Sequence, residues 1–461
     1  MIEEKDRTLK ELLPPAYLLP LLFSYLLEHI ALSIYWIFFG IFLSEKVTNS
    51  YLNIAIVLAI PAIVSILGTT VLSSFSDKTG KRKLLIFIAK VLSMVQYLLL
   101  LFFNKTIWSI LLILAVFGIF TQIYYTQHSA LITIICPQNR KGQVSSYQVF
   151  FASAGWMIGS ALSDIIYDWK GIIGTLSFAA GFAILAGILS LFSPSKAKGS
   201  IIEPLLVPLP EEFLSTTATI EEKGEKPTVM ESRVTSDIKE AEKYASYFDI
   251  FKRKNVVSLI VVLAILDFGF GPFNVITSVY FKAAGLSNML IAKSNTIATA
   301  LGMVILLISG SILDRTSRKR VFIFSILAYP IVYTLIFTLS MYPIALFIVY
   351  LYPLYALKVP TANTIMADLT KENERGRGMS LIQMEQVFFG NIGAIFGCYI
   401  ADIFPGTILP KYIPQGIFVI PLFPIFFGLL ALLLAFLLIK ETNPRYLAKI
   451  AKMGAVTKVL E

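Results

Sequence analysis

Two carboxylic acids and a lysine stand deep inside long apolar runs of this 461-residue chain. Glu28 lies about twelve residues into the first run, and Asp267 lies about twelve residues into the seventh, 239 residues further on. A charge near the centre of a bilayer costs about 3 kcal/mol on insertion scales, so by default such an acid marks a site or a pathway. Desolvation favours the neutral carboxylic acid, and each could load and release a proton as its access to water changes. The structural alternative is a fixed interhelix ion pair or hydrogen bond that never titrates. Lys358, about fifteen residues into the tenth run, could neutralise either acid or hold an anionic solute. His29 adjoins Glu28 but points about 100° round a helix from it, so only one of the two faces a central cavity squarely.

The remaining polar groups in apolar surroundings have weaker claims. Gln127, His128 and Asn363 fall nearer one membrane surface, and His128 serves equally as a neutral imidazole bonded to a neighbouring helix. Glu385 is only seven residues into its run and is expected to meet a basic loop. Lys90 is equally shallow and is expected to snorkel to the headgroups. Tyr25 and Tyr35 lie on the Glu28 face, where they could stack on a ligand. The string Asp267-Phe-Gly-Phe-Gly-Pro272 predicts a kink or local unwinding beside the acid.

The elements that must position these groups follow from composition. Hydrophobic residues make up 56% of the chain, charged residues 15%, and mean hydropathy is +0.76, which excludes an ordinary soluble domain. Runs long enough to cross roughly 30 Å of hydrocarbon are predicted at 16–43, 51–76, 84–103, 107–135, 144–166 and 172–193. Six more are predicted at 255–281, 288–313, 320–340, 343–367, 378–403 and 413–439. On these boundaries the termini and even-numbered loops hold 31 of the 39 Lys and Arg residues, which predicts cytoplasmic N- and C-termini. The net charge of +10 is then a consequence of topology and calls for no nucleic-acid partner.

No cleavable signal peptide is read in the first thirteen residues, which mix charges of both signs. Two cysteines, Cys136 and Cys398, suggest neither a disulfide framework nor a thiolate metal site. Residues 194–254 form a cytoplasmic linker rich in proline and charge. Its end, Ile238 to Lys254, is a candidate interfacial helix with Lys252, Arg253 and Lys254 towards headgroups. The expected units are therefore a six-helix bundle at 1–193, this linker, a second bundle at 255–440, and a cytoplasmic tail at 441–461.

The chain is also duplicated. Residues 148–165 (QVFFASAGWMIGSALSDI) return at 386–403 as QVFFGNIGAIFGCYIADI, identical at eight positions without a gap. Each copy carries a Gly-x-x-x-Gly pair, Gly155 and Gly159 in one and Gly393 and Gly397 in the other, of the kind that lets helices approach closely in lipid. A second repeat, SSFSDKTGKRK at 73–83 and GSILDRTSRKR at 310–320, keeps nearly the same spacing. Asp77, Lys78, Gly80, Lys81 and Arg82 in the first copy, and Gly310, Asp314, Arg315, Arg318 and Lys319 in the second, resemble the duplicated loop signature of the major facilitator superfamily. Ser73 and Ser317 depart from its glycines.

That resemblance covers the whole chain and implies an all-α membrane protein. Its twelve transmembrane helices would form two six-helix bundles related by a pseudo-two-fold axis along the membrane normal, rocking about a central site. It further implies that Asp77, Arg82, Asp314 and Arg318 act as latches on the cytoplasmic side. It places spans five and eleven across the interface between halves, where their glycines either ease sliding or simply pack tightly.

No Gly-x-x-x-x-Gly-Lys-[Ser/Thr], His-Glu-x-x-His or Gly-x-Ser-x-Gly motif occurs, so the expectation is a transporter rather than an ATP-driven pump or an enzyme. The leading reading is a monomeric secondary transporter of the plasma membrane, without cofactor or metal, that couples a small organic solute to protons, most simply by symport. A proton-driven exporter is the alternative within the class, weakened because span four has no Arg and the Gly155 motif no Pro. A non-transporting receptor or scaffold is the alternative outside it. The candidate cavity residues are Glu28, His29, Tyr35, Gln127, His128, Asp267, Lys358 and Asn363.

Overall fold

The computed structural model describes residues 14–79, 81–135, 141–194, 247–353, 355–371, 374–404, 416–443 and 446–447. Among the described residues there is no strand. The first half contains α1 (Leu19–Phe42), α2 (Tyr51–Thr79), α3 (Arg82–Phe102), α4 (Ile107–Ile135) and α5 (Lys141–Leu191). After the short α6 (Tyr247–Phe251) come α7 (Lys254–Ala283), α8 (Asn288–Arg315), α9 (Arg318–Thr338), α10 (Pro343–Tyr350), α11 (Tyr355–Leu369), α12 (Arg375–Ile403) and α13 (Leu422–Leu438).

Nine described helices are long and apolar enough to cross a membrane. Three features reconcile that number with twelve spans. The α5 helix runs through two spans that reverse at Gly171, whose φ of 59° and ψ of −149° favour glycine. The α2 helix contributes a shorter apolar stretch, Tyr51–Ile66. The tenth span, expected to be continuous, is instead broken into α10 and α11. Pro353 supplies no N–H and disfavours helical backbone at Tyr352, so the chain leaves the helix at 351–353. In α7 the predicted distortion falls at Ile276, one turn beyond Pro272.

Helix α1 packs along α5, and α7 packs against α12 and α13, its counterparts in the second half. The halves meet through α2 with α12, α5 with α8, and α1 with α7. Large apolar residues such as Phe102, Trp108, Ile344 and Leu437 stand exposed, as expected of surfaces solvated by lipid.

The Gly-x-x-x-Gly pairs work inside each half, not at the interface where they were expected. A Cβ on Gly155 would lie 2.3 Å from the Leu26 carbonyl oxygen of α1, and one on Gly159 2.6 Å from that of Ile30. In the second half a Cβ on Gly393 would lie 2.0 Å from the Phe268 carbonyl oxygen, and one on Gly397 2.3 Å from Pro272. Backbones in contact leave no room for a methyl group, because lipid provides no hydrophobic drive to hold less closely fitted helices together. Gly393→Ala is expected to cost about 1–3 kcal/mol through overpacking, seen as a lower melting temperature in detergent. An unchanged melting temperature would show that α7 and α12 can separate freely.

On the face carrying the basic loops, the side chains of Asp77, Lys78 and Asp314, together with Gly80, lie outside the described residues. Arg82 opens α3, Gly310 and Arg315 belong to α8, and Arg315 is exposed. Arg318 pairs with Asp368 of α11, within its own half. The carboxylate that caps α9 is Glu441, which takes hydrogen bonds from the Ser317 hydroxyl and from the Arg318 N–H at 3.1 Å. Burial pushes the Glu441 carboxyl up, but the Ser317 hydroxyl and the N–H groups of Asn443, Arg318 and Thr442 hold it below the usual value of 4.5. Arg253, expected among headgroups, turns inward to Glu374 at 2.8 Å and to the Leu369 carbonyl at 3.1 Å. An acid one helix away outcompetes lipid for it.

Candidate functional site

The two midplane acids occupy equivalent places and have different partners. Glu28 is fully buried and meets Lys90 of α3, with Nζ 2.5 Å from Oε2. The contact is electrostatic and poorly aligned for a directed hydrogen bond, and Nζ also lies 4.1 Å from the centre of the Tyr124 ring. Lys90 therefore does not snorkel. It is wholly buried, because a countercharge in the bundle is closer than the headgroups. In the second half Asp267, 1% exposed, takes a hydrogen bond from Lys358 of α11, one of the two pairings that the sequence left open.

The lysines break the pseudo-symmetry. The position equivalent to Lys90, 238 residues on, is Ala328, and the one equivalent to Lys358 is Phe120. The acids were duplicated with the bundle, and each half supplied a cation from a different helix.

Of Glu28 and His29, it is His29 that faces the cavity. With Ala152, Ser153, Trp156 and Thr299 it lines a chamber of about 250 Å³. Its Nδ1 lies 2.8 Å from the Tyr25 carbonyl, which places the proton of the neutral ring on Nδ1 and leaves Nε2 available. His128 is buried behind it, with Nε2 donating to the Leu21 carbonyl at 2.9 Å and Nδ1 accepting from Gln148 at 3.1 Å. That is the neutral imidazole weighed from the sequence. Tyr25 stacks on His128 with ring centres 4.5 Å apart. Tyr35 is directed at Tyr97 of α3, 5.1 Å between ring centres. Gln127 is buried, and neither it nor Asn363 lines the cavities at His29, at Lys358 or at Trp36.

A second cavity, of about 190 Å³, lies mainly within the second half and reaches Trp156 of α5. Lys358 lines it, as do Asn274, Asn295, Gln386 and the rings of Tyr329 and Tyr333. The break between α10 and α11 opens onto it through Tyr352 and Pro353, as broken helices in transporters do. A third cavity, of about 90 Å³, shares Trp156, Asn274 and Asn295 and reaches Trp36 and Gly40.

Glu385 was expected to meet a latch loop, yet it is 4% exposed and neither of its carboxylate oxygens is hydrogen-bonded. It lies within electrostatic reach of Asp267 and Lys358. With all three groups ionised the cluster carries one net negative charge, and one added proton makes it neutral. The signal that could have found Glu385 is its place beside Gln386 at the head of the repeat, where the first copy has Tyr147.

At the ends of the halves opposite the basic loops, Asp402 of α12 caps α2 of the other half. It accepts from the Ser50 hydroxyl at 2.5 Å, the Tyr51 N–H at 2.7 Å and the Leu52 N–H at 3.0 Å. Closer to the middle, Ser160 of α5 and Thr296 of α8 share a hydrogen bond of 2.9 Å. These contacts join the halves on that side.

Comparison with known proteins agrees with this architecture. The family model of the Major Facilitator Superfamily matches residues 21–357. Among solved structures, a mutant of the nucleoside transporter NupG is 12% identical over 92% of this chain and 100% of its own, with a TM-score of 0.69. The D-xylose-proton symporter is 15% identical over 93% and 98%, with a TM-score of 0.68. A bacterial homologue of the human lysosomal transporter Spinster, inward-facing and unoccupied, is 13% identical over 92% and 97%, with a TM-score of 0.67. No curated protein matches the chain significantly.

Proposed function

The chain belongs to the Major Facilitator Superfamily, and from that premise we propose that it moves a small organic solute by proton-coupled symport, its termini in the cytoplasm and its bundles in the plasma membrane. It is a transporter and not an enzyme. The reading of coupling rests on one observation: the carboxyl of Glu385, buried and without a hydrogen bond, beside the Asp267–Lys358 pair on the wall of the cavity.

A buried cluster of two acids and one lysine tolerates its net charge poorly, so it takes up one proton while closed and can release it when the cavity admits water. Solute bound against Lys358 shares that wall, and loading of the two is therefore linked. The D-xylose-proton symporter shares the fold, so the architecture accommodates this coupling. Contacts between the halves on the side opposite the basic loops, taken with the topology that Lys and Arg favour, support reading this state as inward-facing.

Glu385→Gln tests the reading cleanly, because it removes the titratable group without leaving Lys358 unpaired. A solute found by thermal-shift screening of metabolites, through its stabilisation of the folded protein, would be followed in proteoliposomes. Uptake driven by an imposed pH gradient is expected to vanish, with counterflow exchange retained. Uptake that still follows the pH gradient would overturn proton coupling through Glu385, and loss of counterflow as well would make it a binding residue.

A further inference from the structure

The cavity in the second half is chemically selective. Three primary amides, Asn274, Asn295 and Gln386, line it together with Thr277 and Thr299. The side chains of Asn274 and Gln386 are exposed and make no hydrogen bond to another described residue. An unsatisfied amide turned towards lipid costs several kcal/mol, so these two face water and are available to a ligand. Asn295 spends one donor on the Ile291 carbonyl, at 3.1 Å, and keeps its oxygen. The opposing walls are rings. Phe273 and Tyr333 meet edge to face with centres 4.9 Å apart, and Trp156 closes the side towards the first half.

Charge decides the class of solute. Lys358 is the one charged side chain lining this cavity among the described residues, and Asp267 behind it cancels its charge. An anion would find no uncompensated cation there and would feel the carboxyl of Glu385 behind the wall. A cation would find no acid on the surface. At about 190 Å³ the space falls below the roughly 300–1,000 Å³ of sites for drug-sized ligands. What fits is small, neutral, rich in hydroxyl groups, and ring-shaped, with one apolar face.

Resting on the transport reading above, we infer that the cargo is an uncharged monosaccharide or cyclic polyol, its hydroxyls held by Asn274, Asn295 and Gln386 and its ring face by Trp156. Trp156 borders all three cavities, so it stands where a solute passes between the halves. The duplication sharpens this assignment. The second copy of the repeat has Ala394 at the equivalent position, buried close to Gly271. The indole is thus not part of the shared helix packing that both copies require.

The test uses the full-length protein in proteoliposomes, with panels of uncharged monosaccharides and cyclic polyols, of carboxylates, and of organic cations. A neutral compound is expected to raise the melting temperature and to enter saturably. Trp156→Ala and the double variant Asn274→Ala/Gln386→Ala should each raise its KM at least tenfold. Trp156→Phe, which keeps an apolar ring, should recover most of that loss and serves if the alanine variant folds poorly. Saturable uptake confined to carboxylates or cations would overturn the cargo class while leaving transport intact. Neutral uptake insensitive to Trp156 and the amides would overturn the site, and no saturable uptake from any panel would overturn both the cargo and the transport reading.

Discussion

Lys90→Met is expected to be among the most damaging single substitutions in this protein, and Glu28→Gln in the same chain is expected to repair it. Removing Lys90 strands the Glu28 carboxylate where it is fully buried and has no well-aligned hydrogen-bond donor. Breaking a buried pair from one side costs about 3–5 kcal/mol, whereas replacing both partners by groups of similar size is often neutral. The single variant should therefore melt well below wild type in detergent, and the double variant should melt close to it. A Lys90→Met protein as stable as wild type would show that the pair carries no structural weight. The double variant also separates the two midplane acids by role. Glu28 does not line the cavities and serves as a strut between α1 and α3, so gradient-driven uptake should persist in Glu28→Gln/Lys90→Met. If uptake is lost while the protein stays folded, Glu28 belongs to the coupling machinery after all.

Helices were legible in the sequence because lipid imposes a length and a composition that few other environments require. Apart from the tenth run, which is broken, and the twelfth, whose helix α13 begins at Leu422, the predicted runs coincide with helices to within a few residues, and the paired acids at Glu28 and Asp267 stand buried where the duplication placed them. Interior partners were harder to read. Lys90 sits at a depth from which a lysine ordinarily reaches the headgroups, and nothing local announces that Glu28 of another helix is closer. The break at Pro353 was hidden because both flanks are apolar, so hydropathy runs straight through it. The Gly-x-x-x-Gly motifs disclosed close approach but not the partner, and α1 and α7 proved to be the partners. Glu385 was judged by its depth alone, and that its neighbour Gln386 lines the cavity came only from the packing of the helices. In each case the missing information was which helices stand side by side, which depends on contacts between residues far apart in the chain.

Asp402→Ala is expected to loosen the contact that joins the halves at the ends opposite the basic loops. This carboxylate receives three hydrogen bonds from the start of α2, and it does so across the two halves. An N-cap is worth about 0.5–2 kcal/mol. Here that energy stabilises only the state in which these ends of the halves touch. At about 1.4 kcal/mol per tenfold change, its loss should raise the population open on that side by roughly two- to thirtyfold. Val275 is half-buried on the cavity that reaches Trp36 and Gly40. With Cys136 and Cys398 replaced, Val275→Cys should react with an impermeant maleimide added from outside several times faster when Asp402 is also alanine. Asp164 provides the control, since it is the same residue in the first copy of the repeat. Its Oδ1 is without a hydrogen bond, and α8 is capped by its own Ser287. Asp164→Ala should therefore leave the labelling rate nearly unchanged. Equal rates in all three backgrounds would show that Asp402 does not hold the outer side shut. A large rise with Asp164→Ala and none with Asp402→Ala would place the controlling contact on the α5–α8 side of the interface.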